Sequence, residues 1–232
     1  MLAAQTLPIA DITALTTIDW PQRLAAVIYT RGCPWRCPYC HNTELQNIVG
    51  DTYDWDRILA LVNTRRGLLD GVVFTGGEPC MHEALLHAME EIKSLGFGVA
   101  LHTGGAFPER LSQALSSGLV DWVGFDMKAP WELYEKVTKK PGSGKRAKRS
   151  LYSLVESGVD YEIRTTVWPN LLQQAHLEIM AHQLKEANAT SWMLQPCRDC
   201  PGKRDPEPQD ISLPRMASHL GFVLPGQVFA RT

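Results

Sequence analysis

No stretch of this chain approaches the roughly eighteen consecutive apolar residues of a membrane-spanning helix. Its opening, Met1-Leu-Ala-Ala-Gln-Thr-Leu-Pro8, has no basic segment ahead of an apolar one. The expectation is therefore neither signal peptide nor anchor, with the cytoplasm as compartment. Excess charge of either sign is missing too. There are 23 Lys and Arg against 25 Asp and Glu, a formal net charge of -2, so nothing general points to nucleic acid or a membrane surface as partner. Cysteine is scarce, six in all, and three of the six fall within eight residues. That is not the scatter of a secreted disulfide framework. No internal linker is long enough to divide the 232 residues, which read as one domain over 1–232, with a core of about 20–200 and a C-terminal extension over 201–232.

The clustered cysteines, Cys33-Pro-Trp-Arg-Cys37-Pro-Tyr-Cys40, follow the apolar run Ala25-Ala-Val-Ile-Tyr29 at the spacing C-x3-C-x2-C. Pro34 and Pro38 fix φ and remove two N–H donors, so the segment reads as a shaped loop at a strand's end. Three thiolates in one loop suit an iron–sulfur cluster, zinc or copper, and three ligands leave a tetrahedral site open at one position. Arg31 and Arg36 flank the loop and are expected to favour thiolate by their charge. Other patterns overlap it. Cys37-Pro-Tyr-Cys40-His41 matches the c-type haem attachment pattern, and C-x-x-C alone matches a thioredoxin-like pair, but neither gives Cys33 a role. Zinc on Cys33, Cys37, Cys40 and His41 requires two adjacent residues to reach one ion.

With Tyr39 just before the last cysteine, this loop resembles the signature of the radical S-adenosylmethionine enzymes. His41-Asn42 after it, and Ile18-Asp-Trp-Pro21 upstream, are similar to the compact branch that activates glycyl-radical enzymes, above all anaerobic ribonucleoside-triphosphate reductase. The likeness runs over roughly residues 15–200. It implies a [4Fe–4S] cluster on Cys33, Cys37 and Cys40, S-adenosylmethionine on the fourth iron, and a 5′-deoxyadenosyl radical that takes hydrogen from a backbone glycine of the partner. A flavodoxin- or ferredoxin-type protein is implied as electron donor. Alternatives are activation of a pyruvate formate-lyase-like enzyme, modification of a small molecule, or a non-catalytic cysteine-metal protein.

Along the chain, short apolar runs at 25–30, 71–75, 98–102, 121–126, 161–167 and 191–195 alternate with stretches of helical period. Six strands alternating with helices argue for a parallel α/β sheet. The resemblance narrows this to a partial (β/α)6 barrel. An incomplete barrel leaves an open side, which suits a protein loop better than an enclosed metabolite.

Polar residues gather at the predicted C-terminal strand ends, where α/β proteins place their sites. After the second strand, Gly76 and Gly77 allow a close backbone approach beside the carboxylate of Glu78. The resemblance makes this the stretch that receives the amino group of S-adenosylmethionine; a tight turn with an exposed glutamate is the plainer meaning. His102 and Thr103 end the third strand, and Asp126 and Lys128 the fourth; the resemblance places the cofactor's ribose and carboxylate there. The family often has an acidic residue where His102 stands. Lys128 suits a carboxylate as a point charge. Asp126 suits hydroxyls or a cation. Arg164, inside the fifth strand, needs an anionic partner, either the cofactor or Glu162. Tyr39 is expected against adenine or in the core.

The basic segment Lys139–Arg149 reads as a solvated loop with partner docking as the minority view, and its Gly142-Ser-Gly-Lys145 fails as a phosphate loop because Arg146 replaces Ser or Thr. Cys197-Arg-Asp-Cys200 is a second C-x-x-C, with Cys80 and His82 the only further ligands for a second metal.

Overall fold

The computed structural model describes residues 4–197, 212–224 and 227–231. One sheet holds eight strands in sequential order: β1 (Ile9–Thr16), β2 (Ala25–Thr30), β3 (Gly71–Gly76), β4 (Gly98–Thr103), β5 (Trp122–Asp126), β6 (Asp160–Val167), β7 (Ser191–Pro196) and β8 (Gln227–Ala230). β1 pairs antiparallel with β2, and every later pair is parallel. Among the described residues β1 and β8 remain edges, so the sheet is an incomplete barrel. The six expected strands are β2–β7, and β1 and β8 extend them at either edge.

The connections carry helices α1 (Trp55–Asn63), α2 (Leu85–Ser94), α3 (Pro108–Ser116), α4 (Tyr134–Thr138), α5 (Ser143–Ser157), α6 (Gln174–Glu186) and α7 (Leu213–Leu220). Their ends follow local chemistry. The Asp54 side chain accepts from Arg57 N–H to cap α1, and α5 stops at Gly158, whose φ is 75°. The expectation of a loop over Lys139–Arg149 is corrected here: α5 begins at Ser143. Its small residues Ser143, Gly144 and Ala147 are buried, so the basic residues lie on the outer face of a packed helix.

Strand periodicity divides the core in two. Outward-facing Ala26, Ile28, Val72, Phe74, Val99, Leu101, Val123 and Phe125 pack beneath the helices. Inward-facing Ala25, Val27, Val73, Ala100 and Trp122 form a separate cluster with Trp20, which closes the N-terminal end of the sheet's inner face. With both faces covered, the central strands are apolar at nearly every position.

Candidate functional site

At the other end of the same strands lies a cleft of about 220 Å³. It is lined by Cys33, Trp35, Cys37, Tyr39 and Cys40 from the loop after β2, Gly76–Glu78 at the end of β3, His102–Gly104 at the end of β4, Asp126 and Lys128 at the end of β5, Thr166 on β6 and Gln195 on β7. The structure thus gathers every expected residue except Arg164 around one opening, and Arg164 stands directly behind it.

The cysteine loop is fixed from below. Cys33 N–H donates to Gln46 O (3.1 Å), Gly32 N–H to Leu45 O (2.8 Å) and Arg36 N–H to Thr138 O (2.8 Å). Cys33, Cys37 and Cys40 are unbridged thiols. The flanking arginines do not serve them as expected. Arg31 Nε donates to Asp51 O (2.7 Å), and the Arg36 guanidinium donates to the carbonyls of Cys33 and Trp35. Burial instead dominates, pushing the Cys33 thiol up to about 12 with Glu78 adding to the effect, and raising Cys37 as well; Lys128 is the cation that opposes both.

Gly76 and Gly77 do allow a close approach, but to the protein's own backbone. Gly76 has φ 114°, and an added Cβ would overlap Thr30; at Gly77 it would overlap the Gly32 carbonyl at the base of the cysteine loop. Glu78 is not the exposed turn glutamate of the plainer reading. It is buried, and it accepts from Thr103 Oγ1 (2.7 Å), Gly104 N–H (3.0 Å) and Cys80 N–H (3.2 Å). Burial raises its carboxyl despite those donors. Its geometry ties the end of β3 to the end of β4.

Asp126 and Arg164 are register partners on β5 and β6. Arg164 Nε donates to Asp126 Oδ1 (3.1 Å), and Lys128 Nζ lies 3.6 Å from Oδ2. Burial raises the Asp126 carboxyl, but Arg164 and Lys128 outweigh it and hold it below its usual range. Glu162, the internal partner considered for Arg164, is not the observed one. Glu162 pairs with Arg231, next to β8, at 3.4 Å. Gly124 makes room, since a Cβ there would meet the Arg164 guanidinium at 2.7 Å. His102 Nε2 lies 2.8 Å from Asp19 O, so it carries the hydrogen and donates. Burial, then Arg164, lowers His102 to about 3 and keeps it neutral.

Tyr39 is buried against Trp168, edge-on at 6.3 Å, and its hydroxyl has no hydrogen-bond partner among the described residues; the buried Trp35 Nε1 has none among them either. Cys80 is buried, and His82 Nε2 lies 2.6 Å from Arg31 O, so the described pair is not assembled around a second metal. Cys200 lies outside the described residues. Sequence reasoning missed Trp35, Thr166 and Gln195 as cleft residues, the last two joined by Gln195 Nε2 donating to Thr166 Oγ1 (3.0 Å). Their positions at the ends of β6 and β7 were the available signal.

Comparison with known proteins agrees with this arrangement. A Methanocaldococcus jannaschii protein assigned, by name only, as a glycyl-radical enzyme activating enzyme is 29% identical over 192 residues, covering 78% of this chain and 76% of its own. The pyruvate formate-lyase-activating enzyme of Clostridium pasteurianum is 29% identical over 171 residues, covering 70% of this chain and 69% of its own. Among solved structures, Streptococcus suis SuiB bound to S-adenosylmethionine superposes with TM-score 0.66 at 13% identity, over 89% of this chain and 50% of that one; this likeness shows the fold. The Radical SAM superfamily matches residues 27–181, from β2 into α6. The chain belongs to the radical SAM superfamily, enzymes that work with a [4Fe–4S] cluster and S-adenosylmethionine.

Proposed function

We propose that this protein is an activating enzyme that holds its cluster on Cys33, Cys37 and Cys40, binds S-adenosylmethionine in the same cleft, and generates a glycyl radical on a large partner. The observation that carries this is three unbridged thiols of one loop opening on the cleft where the parallel strands end. The donors fit the group: thiolates are the usual ligands of such clusters, and three leave one iron for another ligand. Among the described residues no three His, Cys, Asp or Glu side chains are gathered closely enough for a single ion. Thiols set apart around a cleft suit the outside of a cluster better than a zinc cage.

The chemistry supplied by the bound group is one-electron reductive cleavage of S-adenosylmethionine to methionine and a 5′-deoxyadenosyl radical. The protein's part is binding, orientation and exclusion of water. Lys128 offers a half-buried cation to the cofactor carboxylate. Asp126, steadied by Arg164, faces the cleft as an acceptor for hydroxyls. Glu78 acts by positioning, holding Thr103 and Gly104 against the β3 turn. Trp35 and Tyr39 wall the site with aromatic surface and exclude water from it.

Similarity to two activating enzymes over most of the chain supports a glycyl-radical enzyme as the partner. Ile18-Asp-Trp-Pro21 and His41-Asn42 favour an anaerobic ribonucleotide reductase. A second reading, a pyruvate formate-lyase-like partner, is favoured by the 29% identity to its activating enzyme. The test incubates reduced protein and S-adenosylmethionine with each candidate carrying deuterated glycine. Deuterium should enter 5′-deoxyadenosine, and a glycine-centred radical should appear by electron paramagnetic resonance, with the reductase. Transfer from the lyase alone selects the second reading. Transfer only from a small molecule removes the activating role.

A further inference from the structure

Lys136 to Arg149 holds seven cations and no acid, in a chain of net charge -2. Four of them, Lys145, Arg146, Lys148 and Arg149, fall in the N-terminal half of α5, where the helix dipole disfavours positive charge. The first turn contains no acidic residue and no side-chain cap, the last turn has no basic residue, and Glu156 stands there instead. Charge along α5 is thus inverted at both ends. Lys145 and Arg149 are also like charges four residues apart. Local rules broken without local gain mark a surface kept for another purpose.

Nearby acids neutralise little of it. Glu109 pairs with Arg149 at 2.9 Å, and Glu135 accepts from Gly142 N–H at 2.8 Å. Lys139, Lys140 and Lys145 are exposed and without an ion pair among the described residues. The patch is fastened to the outside of the cysteine loop. Thr138 O accepts from Arg36 N–H, and Tyr134 of α4 packs edge-on against Trp35 at 5.9 Å. No residue from 136 to 149 lines the cleft.

We propose that Arg36, Lys139, Lys140 and Lys145 form the docking surface for an acidic one-electron carrier protein. This rests on the reading under Proposed function. Cofactor and substrate occupy the cleft in that reading, so an electron has to arrive from another flank of the cysteine loop, and this is the flank that carries unpaired positive charge. One electron leaves the reduced carrier and arrives on the bound cluster; no bond forms or breaks and no proton moves. Redox encounters of this kind are small and transient, with rates set by charge complementarity.

The experiment uses the reconstituted full-length protein and its Lys139→Glu/Lys140→Glu/Lys145→Glu variant, with reduced flavodoxin as the probe. Cluster reduction is followed by stopped-flow absorbance across ionic strength. Photoreduced deazariboflavin, a small neutral reductant, serves as control. At low salt the variant should be reduced by flavodoxin at least about tenfold more slowly than wild type. The wild-type rate should fall as salt rises while the variant's barely changes. Both should respond equally to deazariboflavin, and the variant's Tm should be unchanged or higher, since Glu at the third position of α5 suits the dipole. Equal flavodoxin rates overturn the inference, as does a variant that loses capture of the glycyl-radical partner or of nucleic acid but keeps its flavodoxin rate. A wild-type chain that holds no cluster removes the reading of function and this inference with it.

Discussion

The inner face of the sheet has two ends built from the same strands on opposite principles. At the N-terminal end Trp20, Ala25, Val27, Val73, Ala100 and Trp122 form a small apolar cluster. Two to six residues beyond Val73, Ala100 and Trp122 come Glu78, His102, Asp126 and Lys128, joined by Arg164 of β6, every one with a displaced pKa or an ion pair. The first end gains free energy simply by excluding water. The second spends part of that stability on buried charge, which is tolerable only because each group has a fixed partner. The difference shows where to look for chemistry in a parallel sheet: at the end where burial and polarity coincide.

Four substitutions should separate the two ends by experiment. Replacing Cys37 by Ala should abolish S-adenosylmethionine cleavage after anaerobic reconstitution while leaving the Tm of the metal-free protein unchanged. Measured iron content and 5′-deoxyadenosine decide it, and full activity would contradict the cluster assignment. Trp20→Ala should do the reverse. A cavity under Gly71 and Gly98 should cost about 3–5 kcal/mol in urea unfolding, with iron bound per folded molecule unaltered.

Acid should act through the polar end. His102 is held neutral down to about 3, whereas the unfolded chain takes the proton near 6.5. Its contribution is therefore complete above about pH 6.5 and is lost as pH falls toward about 3, at up to about 1.4 kcal/mol per pH unit. The lowered Asp126 carboxyl adds a loss below about pH 3.9, while the raised Glu78 carboxyl works in the opposite sense. His102→Gln should flatten the slope between pH 7 and 5; identical slopes in the two proteins would remove His102 from this role. The smallest effect belongs to Tyr39→Phe. Deleting a buried hydroxyl that has no partner among the described residues should raise stability of the empty protein by up to about 1 kcal/mol. A loss of stability would show that the hydroxyl is bonded after all.

Much of this was legible in the sequence because it is local. The cysteine spacing, the strand runs and the glycines at 96, 118 and 158 announce themselves within a few residues. What stayed hidden depends on pairing at a distance. Arg164 meets Asp126 through strand register, 38 residues apart, and Glu162 meets Arg231 across 69. Glu78 reads as a turn carboxylate, yet burial and the amide of Gly104 make it a brace. β1, Ile-Ala-Asp-Ile-Thr-Ala-Leu-Thr, mixes polar residues into an edge strand, and β8 has four residues, so neither gives a clear run. α5 is masked by Pro141, Gly142 and Gly144, which read as loop until the buried small face of the helix is seen.

The central claim is that three thiols at the polar end hold a cluster that meets S-adenosylmethionine. Electron paramagnetic resonance of the anaerobically reconstituted and reduced protein, recorded with and without S-adenosylmethionine, tests it most directly. A [4Fe–4S]⁺ signal should appear, change shape when S-adenosylmethionine is added and be absent in Cys37→Ala. A colourless protein with one zinc per chain and no such signal would contradict it.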